Sequence, residues 1–562
     1  MEPQMDTKEH KYKRNKKIGT KRLIKVSSAS VCVYLWFAVL TSCSSQPTDM
    51  RTLVPADALV YLETNDLGAA LQPIIDSKPF SEVAKRKPDL SALKGVQLAV
   101  AITGFETSEE KVNDEQSVGK IQPHFVAIAD THAWQFQAEG FAEQKLGAFV
   151  ADIYDSEPTL EKHEKGGGHY LTWTAKDGRK AYAFVNRSLI YFGNDETSID
   201  KCLAVARGEA DSFNKNGNEV APAVGNTLVS GYISHDGVSQ IGNILGLKLA
   251  QEGSEESEVQ SALATLLPQL IRNSIDNVTW VSLKTDQGYR DIWNVTLAPG
   301  LAPMLSGALA AGPETQTSSE VTADMLGNLP STATSVTLYN FQDPAVAWGT
   351  VLTAAQKTVD PLQAKVIGET SSLVFEPYGI RNGVSFLAAV GDDKMGRNLI
   401  TAKLDAEGDS PIVIASRGVN DAKTLNTLSS KMNPPAQVVE DGTNLWTATD
   451  GDLQLVFSRE EMGLGTKEDL AACRFFTPHT PYEIESERLK ALAGSKAPIT
   501  TTAVDFDSAA LIADLISEKQ GDDAKHPSTY YTETRFTDSG VERKTTSDFG
   551  FIGWIIAQLA EE

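Results

Sequence analysis

Apolar and polar positions follow each other along this chain in two rhythms, and the change from one to the other marks its elements. Period-two alternation sends successive side chains to opposite faces of a strand. It runs through Ala58–Glu63, "GVQLAVAITGF" (95–105) and "HFVAIAD" (124–130). Between the first two lies a helical rhythm opening near Asp66, with Leu67, Leu71, Ile74 and Ile75 on one face. A second helical stretch covers 134–154, where Ala138, Phe141, Ala142, Leu146, Phe149, Val150 and Ile153 recur near helical spacing. "HYLTWTA", "KAYAFV" and "LIYFG" then read as a meander turning at Asp177-Gly178 and Asn186-Arg187. The next helix begins at a cap, Asn194. The course is β-α-β-β-α-β-β-β-α, then β-α-β-β. Such mixed order with many hairpins predicts an α+β fold, a largely antiparallel sheet with helices packed on one face.

The pattern is written twice. "TWTAKDG" (172–178) returns as "LWTATDG" (445–451), with Trp173 over Trp446. "YFGNDETSIDKCLA" (191–204) lies over "GLGTKEDLAACR" (463–474), which places Cys202 on Cys473 and puts a Thr466–Asp469 capping box at the second helix. "VPADALVYLETND" (54–66) matches "LPSTATSVTLYNFQD" (329–343), and "PHFVAIAD" (123–130) matches "PIVIASRG" (411–418). Downstream, 226–241 matches 499–512, and "KTDQG" (284–288) matches "RFTDSG" (535–540). Ordered matches of this kind are the mark of internal duplication. We expect two tandem related modules, 54–304 and 326–562, joined by a linker at 305–325 that holds the small, polar "GPETQTSSEVTAD".

The N-terminus has another character. Lys8, Lys11, Lys13, Arg14, Lys16, Lys17, Lys21, Arg22 and Lys25 precede an apolar run from Val31 to Leu40. That run is too short to span a bilayer, which takes roughly 20 apolar residues, and it has the form of an export signal. Leu40-Thr41-Ser42-Cys43 resembles the bacterial lipobox. The resemblance implies a signal peptide at 1–42, Leu40 as the leading apolar residue, Thr41 and Ser42 before the cleavage point, and Cys43 as the lipidated first residue. Ser44 rather than Asp after the cysteine implies the outer membrane. Residues 43–53 would be a short tether. With this lipobox, the "VPADALVYLETND" opening and the strand–helix–hairpin course are similar to an uncharacterised family of exported bacterial lipoproteins. Its domain of unknown function opens with a Pro-Ala-Asp strand, and the resemblance carries no known activity.

Charge sharpens this picture. The whole chain carries −23. Without residues 1–42 it has 42 basic against 71 acidic residues, a net −29. An acidic body argues against nucleic acid as a partner and against adhesion to anionic headgroups. Beyond Cys32 and Cys43 only Cys202 and Cys473 remain, neither a disulfide framework nor a zinc pattern.

Candidate chemistry is sparse. A residue present in both copies serves the fold first, so Trp173 and Trp446 are expected in the core. Cys202 and Cys473 are expected as buried small hydrophobes. His163 and His169 flank "EKGGG" without further ligands nearby, and the triglycine reads as a loop. Ser230, His235 and Asp236 have triad residue types but no nucleophile elbow. Asp505 and Asp507 read as a strand end or helix cap, "GLGT" lacks the phosphate-loop lysine, and "DFG" (548–550) lacks a kinase context. No catalytic residue, metal or cofactor is assigned. The apolar end, 549–560, reads as a packed terminal strand or helix. The expectation is a lipid-anchored envelope protein with a binding or structural role toward an envelope protein or small ligand. An envelope hydrolase with an unrecognised site and a lipid or lipoprotein carrier are the alternatives.

Overall fold

In the computed structural model the described residues are 48–76, 90–111, 117–154, 156–216, 220, 226–252, 258–286, 288–309, 335–339 and 344–373. Beyond these they comprise 383–384, 387, the strands between 399 and 547, and 550–552. The first strand, β1 (Val60–Thr64), leads into α1 (Leu67–Asp76). Asp66 caps that helix, its side chain accepting from the Ala69 N–H at 2.8 Å. A long hairpin follows, β2 (Gln97–Lys111) and β3 (Ser117–Asp130), then α2 (Gln135–Phe141) and α3 (Gly147–Ile153). The next strands are β4 (Thr159–Lys165), β5 (Gly168–Thr174), β6 (Lys180–Asn186) and β7 (Leu189–Gly193), followed by α4 (Glu196–Ala206). Then come β8 (Thr227–Ile233), α5 (His235–Glu252), α6 (Glu258–Ser274), β9 (Ile275–Thr285), β10 (Gly288–Leu297) and α7 (Leu301–Leu309).

These strands pair antiparallel throughout, in the spatial order β4-β5-β6-β7-β3-β2-β1-β8-β9-β10. The later part of the chain supplies β11 (Ser335–Tyr339), α8 (Pro344–Lys357), α9 (Pro361–Leu373), β12 (Leu399–Lys403), β13 (Ile412–Ala415) and β14 (Gln437–Val438). It continues with β15 (Leu445–Ala448), β16 (Leu453–Phe457), β17 (Met462–Thr466), β18 (Thr501–Val504), β19 (Tyr531–Thr537) and β20 (Gly540–Ser547). Their order is β14-β15-β16-β17-β13-β12-β11-β18-β19-β20, again antiparallel. β10 and β20 pair with each other from Tyr289–Ser547 to Thr296–Gly540. Counted outward from that junction, both series have the same order. The fold is α+β, with one large antiparallel sheet and helices.

Helices do not keep to one face, contrary to expectation. Along β5–β7, Tyr170, Phe184 and Tyr191 join a core with Ile199, Cys202 and Leu203 of α4. The alternate residues Leu171, Trp173, Ala183, Val185, Ile190 and Phe192 pack with Ala138, Ala142 and Val150 of the α2–α3 segment. Strands buried on both sides must be covered on both sides. Between α2 and α3 the helix makes a π-turn, Ala142–Leu146. An extra residue per turn shifts the phase of the faces, and Phe149 and Ile153 are left 49 % and 55 % exposed. The cap of α4 is Asp195, whose side chain accepts from the Ser198 N–H at 2.8 Å. Asn194, expected there, instead joins β7 to β3 through the Phe125 N–H and the Pro123 carbonyl.

Two expected boundaries also move. Met50–Thr52 is a 3-10 turn and Met50 is a core residue, so the end of the 43–53 tether belongs to the folded body. Helix α7 runs across the boundary drawn at 304/305. By its contacts Asp49–Glu562 is one compact unit. Among the described residues no helix is long and apolar enough to cross a membrane.

Candidate functional site

A cavity of about 790 Å³ opens where α6 ends and β9 begins, against the inner face of β10, β20 and β19. Alternation along β10 puts Asp291, Trp293, Val295 and Leu297 on that face. The register then sets what lies beside them on β20. Thr545 is opposite Asp291, Arg543 opposite Trp293, and Val541 opposite Val295. One strand further, Thr532 and Thr534 of β19 stand opposite Thr545 and Arg543. Leu270, Ile271, Ser274 and Ile275 close the side facing the sheet. The lining is graded: the threonine hydroxyls, Asp291 and Arg543 lie toward one end, and Val295, Val541, Leu297 and Ile275, with the single hydroxyl of Ser274, toward the other.

An aromatic cluster borders the polar end. Trp280 and Trp293, cross-strand neighbours on β9 and β10, stack with centroids 5.3 Å apart. Phe551 meets both edge-on, at 5.0 and 4.9 Å. Phe551 reaches them because the chain turns back after β20, with Gly550 in the left-handed region at φ +65°. A Cβ at Gly550 would lie 2.9 Å from the Tyr289 Cβ, so glycine is required twice over.

Asp291 ties this corner together. It is 2 % exposed. Its Oδ1 accepts from Trp280 Nε1 at 3.0 Å and its Oδ2 from the Phe551 N–H at 2.8 Å. Burial raises its pKa above the usual carboxylate range, while these donors favour the ion and oppose the shift. Ser282, directly across on β9, also favours the ion, although its hydroxyl forms no bond within strict hydrogen-bond geometry. Arg543 is exposed and has no acidic partner among the described residues. Its neighbours Glu542 and Lys544, on the opposite face of β20, pair with each other at 2.8 Å. The arrangement can hold an apolar molecule and offer one cation and several hydroxyls to its polar end. It presents no nucleophile–base pair.

The residues singled out in the sequence lie elsewhere. Trp173 is 2 % exposed in the core, and Trp446 is described only by its place on β15, opposite Gln437 and Val456. Cys202 is fully buried, and burial pushes its thiol up to about 12. Cys473, Leu40, Thr41, Ser42, Cys43, the 312–324 segment, Asp469, Asp505 and Asp507 fall outside the described residues. The "EKGGG" stretch is a tight hairpin, Gly166 and Gly167 having positive φ between β4 and β5. His163 lies against Tyr170 and His169 against Glu139. Ser230 donates to Glu63, and His235 contacts the Ile275 carbonyl, so the two do not meet. Among the described residues no group of three His, Cys, Asp or Glu side chains could hold a metal ion. The cavity residues went unread in the sequence. Their signal was an aspartate in the inward register of "YRDIWNVTL" (289–297), flanked by aromatic and aliphatic residues.

No protein-family model and no curated protein matches the chain. Two solved structures of TP0453, crystal forms I and IV, align at 12 % and 11 % identity with TM-scores of 0.24 each. They cover 46 % and 48 % of this chain and 81 % and 87 % of their own. At that score the likeness carries no argument about fold or function.

Proposed function

We propose that this chain is a lipid-anchored protein of the bacterial cell envelope, held in the outer membrane through acyl chains on Cys43, that binds a small apolar ligand. The observation that carries the binding reading is the cavity of about 790 Å³, with its graded lining. Ligand sites are of this size and kind, mostly apolar with a few placed polar groups. Among the functions the sequence leaves open, this favours the carrier. The anchor rests on the lipobox resemblance. Because the folded body begins by Met50, a tether from Cys43 would reach only about 25 Å when extended. In this reading the chain is a tandem duplication, supported by the sequence matches and by the shared strand order on either side of the β10–β20 junction. The resemblance to exported lipoproteins with a domain of unknown function belongs to the same proposal.

Two experiments test it. Radiolabelled palmitate should enter the native protein and not Cys43→Ala, and membrane attachment should be lost with the label. Equal labelling, or none in either, would remove the anchor. For the cavity, straight-chain alcohols from octanol to dodecanol are titrated by calorimetry. Each added methylene contributes about 0.8 kcal/mol on burial, so affinity should rise about fourfold per carbon. Affinity independent of chain length would remove the apolar site.

A further inference from the structure

The polar end of the cavity is more specific than an apolar site requires. Three register rows cross it. Asp291, Thr545 and Thr532 form the first, Trp293, Arg543 and Thr534 the second, and Val295 and Val541 the third. Polarity therefore falls along the strands, and beyond the third row lie Leu297, Ile275 and the end of α6, where Ser274 is the one hydroxyl among the lining residues. A molecule lying along this gradient must itself be polar at one end and apolar over the rest. The sign of its polar end follows from the two charged groups in the lining. Asp291 is committed, both oxygens accepting from the protein at 3.0 and 2.8 Å. Arg543 is not: its guanidinium has no acidic partner among the described residues. Every other charged group of β20 is either paired, as Glu542 and Lys544 are, or absent from this face. The Thr534 hydroxyl stands opposite Arg543 as a further donor for an anion.

We propose that the cavity takes a single-chain amphiphile with an anionic head, a carboxylate or a phosphate monoester. The head sits at Arg543 and Thr534 and the chain runs toward Leu297. This rests on the apolar-binding reading, and the test separates the two. The full chain carrying Cys43→Ala, which has no acyl chain on that residue, is titrated with decanoate, decyl phosphate, decanol and inorganic phosphate. The two anions should bind at least tenfold more tightly than decanol. Inorganic phosphate alone should not bind, which distinguishes a lipid-like ligand from a free anion. Arg543→Gln should bring anions and alcohol within about threefold by weakening only the anions, and Arg543→Lys should keep most of the preference. Decanol binding as tightly as decanoate, or a preference that survives Arg543→Gln, would overturn the anionic head and leave the apolar site standing. Inorganic phosphate binding as well as decyl phosphate would overturn the amphiphile. Failure of all four to bind would overturn both readings.

Discussion

Glu63 and Asp291 are both carboxylates buried in the sheet, and their surroundings are built to opposite ends. Around Glu63 both oxygens have a donor and aromatic rings pack beside them. The Tyr61 hydroxyl donates to Oε2 at 2.7 Å and the Ser230 hydroxyl to Oε1 at 3.3 Å. Tyr61 stacks on Phe213 at 4.7 Å, and Phe213 meets Tyr232 edge-on. Around Asp291 the hydrogen bonds are equally complete, yet the aromatic groups stop short and a cavity begins. Apolar side chains that line an open pocket keep part of their surface in water and forgo that share of burial energy. A chain able to close one buried carboxylate in aromatic packing and leaving the other beside a cavity has kept that volume at an energetic cost. The proposed ligand would give that cost a purpose.

Several substitutions probe this contrast, the largest effect first. Trp173→Ala, in the filled core, should destabilise by about 3–5 kcal/mol, while Trp293→Ala on the half-exposed cavity wall should destabilise by less than half as much in urea unfolding. Equal losses would mean that the wall is packed like the core. Insertion gives the converse. Ala101→Leu, at a fully buried strand position, should destabilise by about 1–3 kcal/mol through overpacking. Val295→Phe has room beside it and should stay within about 1 kcal/mol of the parent, with thermal melting as the readout.

The carboxylate at the cavity has a pH signature of its own. Burial raises the pKa of Asp291 in the folded state, so the folded chain holds this proton more tightly than the unfolded chain. The stability it contributes is present at low pH and is lost as pH rises through the raised pKa. Asp291→Asn should therefore gain stability relative to the parent on going from acid to neutral pH. A difference between the two that does not vary with pH would contradict the shift. The smallest effect concerns Cys202, fully buried and with its thiol pushed up to about 12. It should resist a thiol reagent in the native protein and react once the chain is unfolded in urea. Rapid native modification of Cys202 would show that α4 opens.

Much of the first half was legible because its buried elements alternate cleanly. Tyr170 against Leu171 and Phe184 against Val185 are each read from period two alone, although not which helices cover the two faces. β4 escaped because its residues, "TLEKHEK", are nearly all polar. Among the described residues it pairs only with β5 and is exposed, and edge strands carry charge to discourage further pairing. Between β8 and β9 one helix was read where α5 and α6 stand. The cavity was illegible because it depends on a long-range register: Asp291 and Arg543 come together only through the β10–β20 junction, and "GVERKTTS" does not by itself show which of its charges faces inward. The resemblance to a lipobox, by contrast, rests on the sequence alone.

The cavity's role is tested most directly by calorimetric titration of decanol into the full chain carrying Cys43→Ala and into the same chain carrying Val295→Trp as well. Saturable binding at one site in the first, lost in the second while its melting temperature is retained, is the predicted result. Equal affinity in both would place any binding elsewhere and contradict the cavity as the ligand site.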